Sequence, residues 1–284
     1  MSRTVLYDVP GPRTLRRERA ISVVVAIGIL AVLAWILVGM ARRGLFDDRW
    51  LLFVDPPRGQ DALDVWRSLW RGLRATLMAA VVAAPIAFGL AVGLMLARTT
   101  PTPWLSRPTV VLIEFLRGMP VLLMMFFGLL SLGLSAFAAV VLGLVAYNAA
   151  IMAEILRAGL VALPKGQVEA GLAIGLTRWQ TLRIVQFPQV VRLMLPSLIS
   201  QFVVLLKDSS LGFIVGYPEL LRTMQLNYSF FGDQYRLPLF LVVLVMYLAV
   251  NLALSRVAIA VERRTAAGSR GRAPSPAAAP AARP

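Results

Sequence analysis

The residues best suited to chemistry are four charged side chains that lie inside long apolar runs. Glu114 and Arg117 interrupt one run. Lys207 and Asp208 interrupt another, and the hydroxyls of Ser209 and Ser210 follow directly. Charged groups at membrane depth are costly, and by default they mark a polar pathway or a pairing between helices. Two opposite charges beside two hydroxyls suit the binding of a zwitterionic solute, with Lys207 holding a carboxylate and Asp208 an ammonium group.

The composition excludes several kinds of catalyst. The chain has no cysteine and no histidine, which rules out thiol nucleophiles, disulfides, thiolate or imidazole metal sites and histidine proton relays. It also lacks the Gly-x4-Gly-Lys-Ser/Thr phosphate loop, so any ATP that drives it must be hydrolysed on another chain. We therefore expect no enzymatic activity of its own, no metal and no cofactor.

Glu114 and Arg117 stand three residues apart, so on a helix they share one face and can pair. Pro120 lacks an N–H group, which predicts a kink just beyond the pair. Two interpretations stay open: a kinked helix with a self-satisfied ion pair near the inner membrane surface, or a solute contact in which Arg117 is a weaker contributor. Glu154 and Arg157 repeat the spacing at the end of another run, where an interfacial pair is favoured.

Lys207 and Asp208 are neighbours in sequence, and adjacent residues on a helix do not face each other. They therefore need separate partners or a hydrated cavity. A solute path and a structural ion pair with a neighbouring span stay open as alternatives for these two residues.

Long apolar helices must position these side chains. Hydrophobic residues make up 58% of the 284 residues and the mean hydropathy is +0.75, values typical of integral membrane proteins. The net charge of +15 does not indicate nucleic-acid binding, because the basic residues lie between apolar runs and at the termini. A helix of about 20 apolar residues crosses a bilayer. We predict six spans, at about residues 21–40, 75–97, two within 107–154 that meet near 131–135, 193–215 and 237–255.

The first span has a signal peptide as its alternative. The apolar core of a signal peptide has about 7–15 residues and ends at a small-residue cleavage site. The run at 21–40 is longer, and Met40-Ala41-Arg42-Arg43 offers no such site. We therefore expect an uncleaved helix.

The distribution of basic residues predicts the orientation. With the N-terminus inside, 18 basic residues lie on the cytoplasmic side and 9 outside, so the positive-inside rule places both termini in the cytoplasm. Seven arginines between residues 42 and 74 run against this assignment. Within that external segment Trp66, Leu69, Trp70 and Leu73 recur at helical spacing, which predicts a helix lying in the outer membrane interface.

A polar segment between two apolar runs carries the most specific spacing. Glu169-Ala170-Gly171 is followed by Gly175 and later by Pro188. Residues 168–175 are predicted to form a short helix, Gly175 to allow a bend, and Thr177 to cap a second short helix. Such a knob fits a groove on another protein, where Glu169 would meet a basic group. An ordinary amphipathic interfacial loop is the alternative.

This spacing resembles the loop with which ABC-importer permeases dock on their cytoplasmic ATPase, whose pattern runs Glu-Ala-Ala-x3-Gly-x9-Ile-x-Leu-Pro. The matching residues are Glu169, Ala170, Gly175 and Pro188, and the departures are Gly171, Val185 and Phe187. The resemblance implies a set of ATPase-coupling residues: Gly166, Gln167, Glu169, Ala170, Gly171, Gly175 and Pro188.

Further segments resemble the polar amino-acid branch of these permeases, in order and at natural spacing over residues 72–261. They lie at 72–77, 114–120, 147–148, 153–155, 157–159 and 205–211. Residues 5–12 and the additional first span resemble the glutamate-importer permease subunits of actinobacteria. The candidate translocation path comprises Lys207, Asp208, Ser209, Ser210, Arg117, Glu114 and Asn148.

The resemblance implies an all-α integral membrane protein of about six transmembrane helices, with a five-helix permease core and one N-terminal helix. The implied organisation is a cytoplasmic segment at 1–20, the extra helix at 21–40, an external loop with the interfacial helix at 41–71, the permease domain at 72–261 with its coupling loop at about 160–190, and a disordered cytoplasmic tail at 262–284.

The resemblance also implies function and partners. The chain would import a polar amino acid, glutamate by the narrower resemblance, across the cell membrane by alternating access. Its partners would be a second permease subunit, identical or homologous, two cytoplasmic ATPase subunits and an external solute-binding protein.

Two other classes of function fit the sequence less well. An ion-coupled secondary transporter of a small polar solute would use intramembrane carboxylates and often inverted repeats. Only Glu114 and Asp208 offer such carboxylates, both beside basic residues, and the sequence shows no repeat. A membrane-embedded enzyme would need histidine, cysteine or paired carboxylates, which the sequence does not offer.

Overall fold

The computed structural model describes residues 12–42, 44 and 48–270, and every regular element within them is helical. The helices are α1 (Pro12–Arg42), α2 (Ala62–Thr99), α3 (Pro103–Gly118), α4 (Val121–Phe126), α5 (Ala136–Ala162), α6 (Gly166–Ala173), α7 (Arg178–Gln180), α8 (Phe187–Asp208), α9 (Leu220–Phe231) and α10 (Arg236–Arg270). Wider π-helical turns follow α4 at Phe127–Ser131 and α7 at Thr181–Gln186. Short 3-10 turns lie at Asp48–Phe53, Ser209–Phe213 and Asp233–Tyr235.

The helices confirm the predicted fold class. Five are long and apolar enough to cross a membrane. Counting the bent pair of α3 and α4 as one further span gives six. The division predicted near 131–135 is also confirmed, because α5 begins at Ala136 after the helical turn ending at Ser131. Ser135 caps α5 by accepting a hydrogen bond from the Ala138 N–H at 3.3 Å.

The kink predicted at Pro120 is a complete break. Helix α3 ends at Gly118, and the chain bends by 103° between α3 and the helical segment that follows. The Pro120 carbonyl accepts the Leu123 N–H at 3.0 Å and so begins the next helix. Proline cannot continue the hydrogen-bond ladder of α3, but it fits well before the first turn of a new helix.

Small residues let the central helices approach closely. Four alanines of α2 recur at every fourth position and are fully buried: Ala79, Ala83, Ala87 and Ala91. They form the main core together with residues of α5 and α8, including Leu144, Ala149 and Leu198. Small side chains at this spacing favour tight packing between membrane helices. The result is a packed frame from which α6 and α7 project.

The interfacial helix predicted before residue 72 is instead the beginning of α2. Leu69 and Leu73 are buried in a second apolar cluster with residues of α9 and α10, whereas Trp66 and Trp70 face outward. The predicted boundary at 71/72 therefore lies inside a continuous helix. Gly72 lies within this helix, and its missing side chain makes room for Thr223 of α9. The Thr223 Oγ1 would lie 2.5 Å from a Cβ added at Gly72.

The ends of the chain differ in how far the structure describes them. None of the apolar window of α1 is buried against the rest of the protein, as an added membrane helix allows. Helix α10 extends to Arg270, so the disorder predicted for 262–284 is wrong for its first nine residues; a helix already nucleated propagates through Ala, Glu and Arg. Residues 271–284, and the N-terminal motif up to residue 11, lie outside the described residues.

Candidate functional site

The segment with the most specific spacing forms a helical hairpin (residues 166–188), and backbone hydrogen bonds define its corner. The Gly175 N–H donates to the Leu172 carbonyl at 3.0 Å. The Leu176 N–H donates to the Gly171 carbonyl at 3.1 Å. Together these bonds form a Schellman motif, which needs a left-handed residue at the corner. Gly175 supplies it with φ of +84°, which confirms the predicted bend.

Thr177 caps α7, as its position predicted. The Thr177 hydroxyl accepts a hydrogen bond from the Gln180 N–H at 3.3 Å. In return the Thr177 N–H donates to Gln180 Oε1 at 2.8 Å, which completes a capping box. Two backbone donors that would otherwise lack partners are satisfied, so the start of α7 is fixed close to the corner.

The helix that begins here is not the short second helix that was predicted. It runs from Arg178 through the wide turn at Thr181–Gln186 into α8, and helical structure ends only at Phe213. Pro188, exposed in the first turn of α8, has no N–H to donate to the preceding turn, and the wider turn before it relieves that conflict. The hairpin is therefore joined rigidly to a membrane span.

The surface of the hairpin combines a carboxylate with apolar groups. Glu169 and Ala170 are exposed on α6. Near the corner Ile174 is 78% exposed and Trp179 is 55% exposed. Large apolar side chains that project from a polar hairpin are typical of a surface that contacts another protein or the membrane interface, the two alternatives stated from the sequence.

A hydrogen bond and a close packing contact hold the two arms of the hairpin together. Gln189 Nε2 donates to Gln167 Oε1 at 3.2 Å, which joins α6 to α8. Gly171 of α6 packs against Thr181 of the second arm. Gly166, the first residue of α6, has open space where a side chain would project. Of the residues predicted to couple to an ATPase, Gln167 and Gly171 thus hold the hairpin together, while Glu169 and Ala170 are exposed.

Gly171 departs from the resemblance pattern, which has alanine, and the structure gives the reason. A Cβ added at Gly171 would lie 2.5 Å from Cγ2 and 2.7 Å from Oγ1 of Thr181. Thr181 is itself fully buried, so its side chain has no free space to move into. The Thr181 side chain therefore occupies the volume that an alanine methyl group would need.

We expect Gly171→Ala to lower the Tm of the purified protein, because overpacking of a tight contact costs about 1–3 kcal/mol. Thr181→Ala removes both clashing atoms, so the double variant should recover most of the stability lost by Gly171→Ala alone. Thermal unfolding of the two single variants, the double variant and the parent forms a double-mutant cycle. Additive effects of the two substitutions would contradict the packing described for this pair.

Lys207 and Asp208 lie at the other end of the helix that leaves the hairpin. Lys207 is exposed and Asp208 is half-buried. Among the described residues neither has an ion-pair partner, and they do not pair with each other. The structural pair with another span of the same chain is therefore not observed. Both charges remain available to a solute or to another subunit.

The two serines that follow bond to their own helix. The Ser209 hydroxyl donates to the Leu206 carbonyl at 2.7 Å, and Ser209 is fully buried. The Ser210 hydroxyl donates to the Lys207 carbonyl at 2.8 Å and is half-buried. The structure thus does not place Ser209 on a surface that a solute reaches, because packing against neighbouring helices covers it.

Asn148, which was predicted to line the translocation path, is also not placed on an accessible surface. It is fully buried, and its Oδ1 accepts a hydrogen bond from Gln201 Nε2 at 2.8 Å. Its own Nδ2 donates to the Leu144 carbonyl at 2.8 Å. The bond with Gln201 joins α5 to α8, so Asn148 is a structural polar contact in this conformation.

Glu114 and Arg117 pair at 3.2 Å on α3, as their spacing predicted. Arg98, from the end of α2, lies 3.8 Å from Glu114 and forms an ion pair with Glu154 of α5. Glu154 also pairs with Arg157 at 3.0 Å. The two predicted pairs therefore belong to one charged network that joins three helices.

The network and the Lys207 region lie far apart. Helix α2 reaches both: Thr76 lines a small void with Leu206, next to Lys207, and Arg98 belongs to the network. Thr76 and Arg98 are separated by about 33 Å along a helix that rises 1.5 Å per residue. The structure therefore does not bring Glu114 and Arg117 to the same site as Lys207.

Sequence reasoning missed Glu219, which lies between the last two spans. Its side chain is fully buried, and its Oε1 accepts the Arg222 N–H at 2.7 Å, which caps α9. Burial raises the pKa of Glu219 to about 7. Burial and the neighbouring Glu219 also raise the pKa of Tyr217, whose hydroxyl donates to the Ala75 carbonyl at 2.9 Å. An acidic residue just before an amphipathic helix was the available signal for the cap.

Comparison with known proteins agrees with this architecture. The family model described as "binding-protein-dependent transport system inner membrane component" matches residues 89–267. A probable glutamine ABC transporter permease protein of Bacillus subtilis is 38% identical over 59% of this chain and 79% of its own length. A glutamate transport system permease protein of Corynebacterium glutamicum is 39% identical over 56% of this chain and 60% of its own.

Solved structures show the same fold. The crystal structure of an amino acid ABC transporter with histidines matches with a TM-score of 0.64 and 28% identity, over 71% of this chain and 96% of that chain. An inward-facing MetNI methionine ABC transporter matches with a TM-score of 0.56 and 21% identity, over 68% of this chain and 96% of that chain. With more than half of its length matched by the family model, the chain belongs to the inner membrane components of binding-protein-dependent transport systems, the permease subunits of ABC transporters, which leave ATP hydrolysis to separate ATPase subunits.

Proposed function

We propose that the chain is the translocation subunit of an ATP-driven importer for a polar amino acid, with glutamate as the first substrate to test. The exposed hairpin at 166–188 carries the proposal, because its carboxylate, corner glycine and apolar surface suit a groove on a protein partner. Relatives are named for glutamine and for glutamate transport, and the cationic Lys207 suits the carboxylate of such a substrate.

The proposed assembly contains a second permease subunit, identical or homologous, two ATPase subunits on the cytoplasmic side and an external solute-binding protein. The hairpin and both termini face the cytoplasm, and the segment around α9 faces outside. This orientation follows the excess of basic residues on the side of the hairpin. It also places the apolar hairpin surface where the ATPase subunits would dock.

In this proposal, one continuous helical segment transmits the motion of the ATPase subunits to the solute site. Helical structure is continuous over 36 residues from Arg178 to Phe213, about 54 Å at 1.5 Å per residue. One end is fixed to the hairpin by the Thr177 cap and the bond between Gln167 and Gln189. The other end carries Lys207. A displacement of the hairpin would therefore reorient Lys207, as rocking of packed helices requires.

The decisive test is uptake in proteoliposomes. The chain is reconstituted with its ATPase subunits and binding protein, and radiolabelled glutamate and glutamine are supplied outside. The ATPase subunits face the vesicle lumen, and we expect uptake only when the lumen contains ATP. Uptake driven by an ion gradient, without ATP or partners, would instead support the secondary transporter.

Cysteine labelling tests the orientation cleanly, because the native chain has no cysteine. Ala173 on α6 and Ser229 on α9 are both exposed. With Ala173→Cys, a membrane-impermeant maleimide should label only inverted vesicles. With Ser229→Cys it should label only intact cells. Labelling of either residue from the opposite side would overturn the proposed topology.

A further inference from the structure

A basic pocket lies where α2 ends and α3 begins, at the opposite end of α2 from the Lys207 region. It has a volume of about 540 Å³ and is lined by Arg98, Ser106, Arg107, Val110, Val111 and Arg157. The lining thus combines three guanidinium groups and one hydroxyl with two valines. None of the residues predicted for ATPase coupling or for the translocation path lines this pocket.

The pocket and its surroundings have an excess of positive charge. Glu154 pairs with both Arg98 and Arg157, so one carboxylate faces two guanidinium groups. Glu114 lies 3.8 Å from Arg98, but it pairs more closely with Arg117. Arg107 is exposed and has no ion-pair partner among the residues the structure describes. The four arginines therefore exceed the two glutamates by two charges, which favours an anion.

The flank of the pocket is apolar and faces away from the protein. Trp104 is 91% exposed and Val111 is 69% exposed, both on α3. In a membrane span such side chains contact lipid, and tryptophan prefers the level of the headgroups. An anion bound between Arg98, Arg107 and Arg157 would thus lie at the membrane surface, with a hydrocarbon-facing wall beside it.

We propose that this pocket binds the headgroup of an anionic phospholipid. The phosphate would contact Arg107 and the Ser106 hydroxyl, and an acyl chain would run along Val111. Basic pockets between membrane helices are suited to anionic headgroups, since each arginine near an anionic surface adds to the attraction. A free phosphate would use the charges but not the apolar flank.

Binding there would also affect the charged network. The lipid phosphate competes with Glu154 for Arg157 and for Arg98, whose pair with Glu154 joins α2 to α5. A membrane rich in anionic lipid would therefore weaken the contact between α2 and α5, and a membrane poor in anionic lipid would leave it intact. The binding itself depends on membrane insertion and does not require that the hairpin docks on an ATPase.

The test measures which lipids the assembled complex retains. Complexes are extracted from vesicles of phosphatidylglycerol and phosphatidylcholine, and the bound lipids are quantified by native mass spectrometry. We expect enrichment of phosphatidylglycerol over the vesicle composition. Arg107→Gln should reduce that enrichment about fivefold, the loss expected for one arginine at an anionic surface. Arg67→Gln removes an exposed arginine at the other end of α2 and should leave it unchanged.

Other results would overturn the proposal. Equal retention of both lipids, or equal loss with Arg67→Gln and Arg107→Gln, would mean that the pocket does not select an anionic headgroup. Displacement of phosphatidylglycerol by an excess of inorganic phosphate would identify a free-phosphate site. Thermal unfolding of Arg107→Gln separates these outcomes from misfolding, and Arg107→Lys should retain most of the enrichment because the charge is kept.

Discussion

Replacing Gly175 with valine should abolish ATP-driven uptake while the chain still inserts into the membrane and assembles. The corner of the hairpin holds Gly175 at φ of +84°, a left-handed conformation that costs other L-residues about 1–2 kcal/mol and β-branched residues more. Valine would open the corner and displace α6 relative to α7. The assay is uptake, together with ATP hydrolysis stimulated by the loaded binding protein. Glu169→Lys should have the same effect through charge reversal.

Gly133 provides the matched control for Gly175. It also has a positive φ, of +63°, with open space around a would-be side chain, but it lies in the turn before α5. Gly133→Val should therefore carry a similar backbone strain and leave uptake per assembled complex near that of the parent. If Gly175→Val and Glu169→Lys both transport normally, the hairpin does not couple to ATP hydrolysis.

Lys207→Met should reduce uptake per assembled complex by about tenfold or more without loss of assembly. Methionine keeps the length of the side chain and removes its charge. A hydrogen bond to a charged group is worth about 1.5–3 kcal/mol, and 1.4 kcal/mol corresponds to a factor of ten. Because Lys207 is exposed and has no ion-pair partner in the described part of the chain, its loss should not unfold the protein. Lys207→Arg should keep substantial activity.

Two outcomes would contradict this role for Lys207. Unchanged uptake at normal expression would show that the solute does not meet its charge. A loss of assembly with a lower Tm would instead indicate that Lys207 pairs with a residue of another subunit, the structural alternative for a charge at this depth.

Local rules predicted much of the fold. Run length and charge predicted the positions of the five long apolar helices and of the bent pair that can make a sixth span. Turn chemistry predicted the bend at Gly175 and the cap at Thr177. The pair of Glu114 and Arg117 followed from helical spacing alone. Each of these features depends on residues that are close in sequence, where helix geometry leaves few alternatives.

The features that were missed depend on contacts between distant segments. Arg98 joins two predicted ion pairs, and nothing near it in sequence shows that Glu154 lies opposite. Asn148 is a polar residue in an apolar run under either interpretation, and only the position of Gln201 shows that it is satisfied. The amphipathic pattern around Leu69 fits a membrane surface or a helix packed on protein equally well, and the position of α9 and α10 decides between them.

Photo-crosslinking at the hairpin is the most direct test of the central claim that residues 166–188 dock on an ATPase subunit. A photoreactive aromatic residue replaces the exposed Trp179, and in a second protein it replaces the exposed Trp70 at the far end of α2. In the assembled importer, position 179 should crosslink to the ATPase subunit, and position 70 should not. Crosslinks from position 179 only to lipid, or ATPase crosslinks from position 70, would contradict the account.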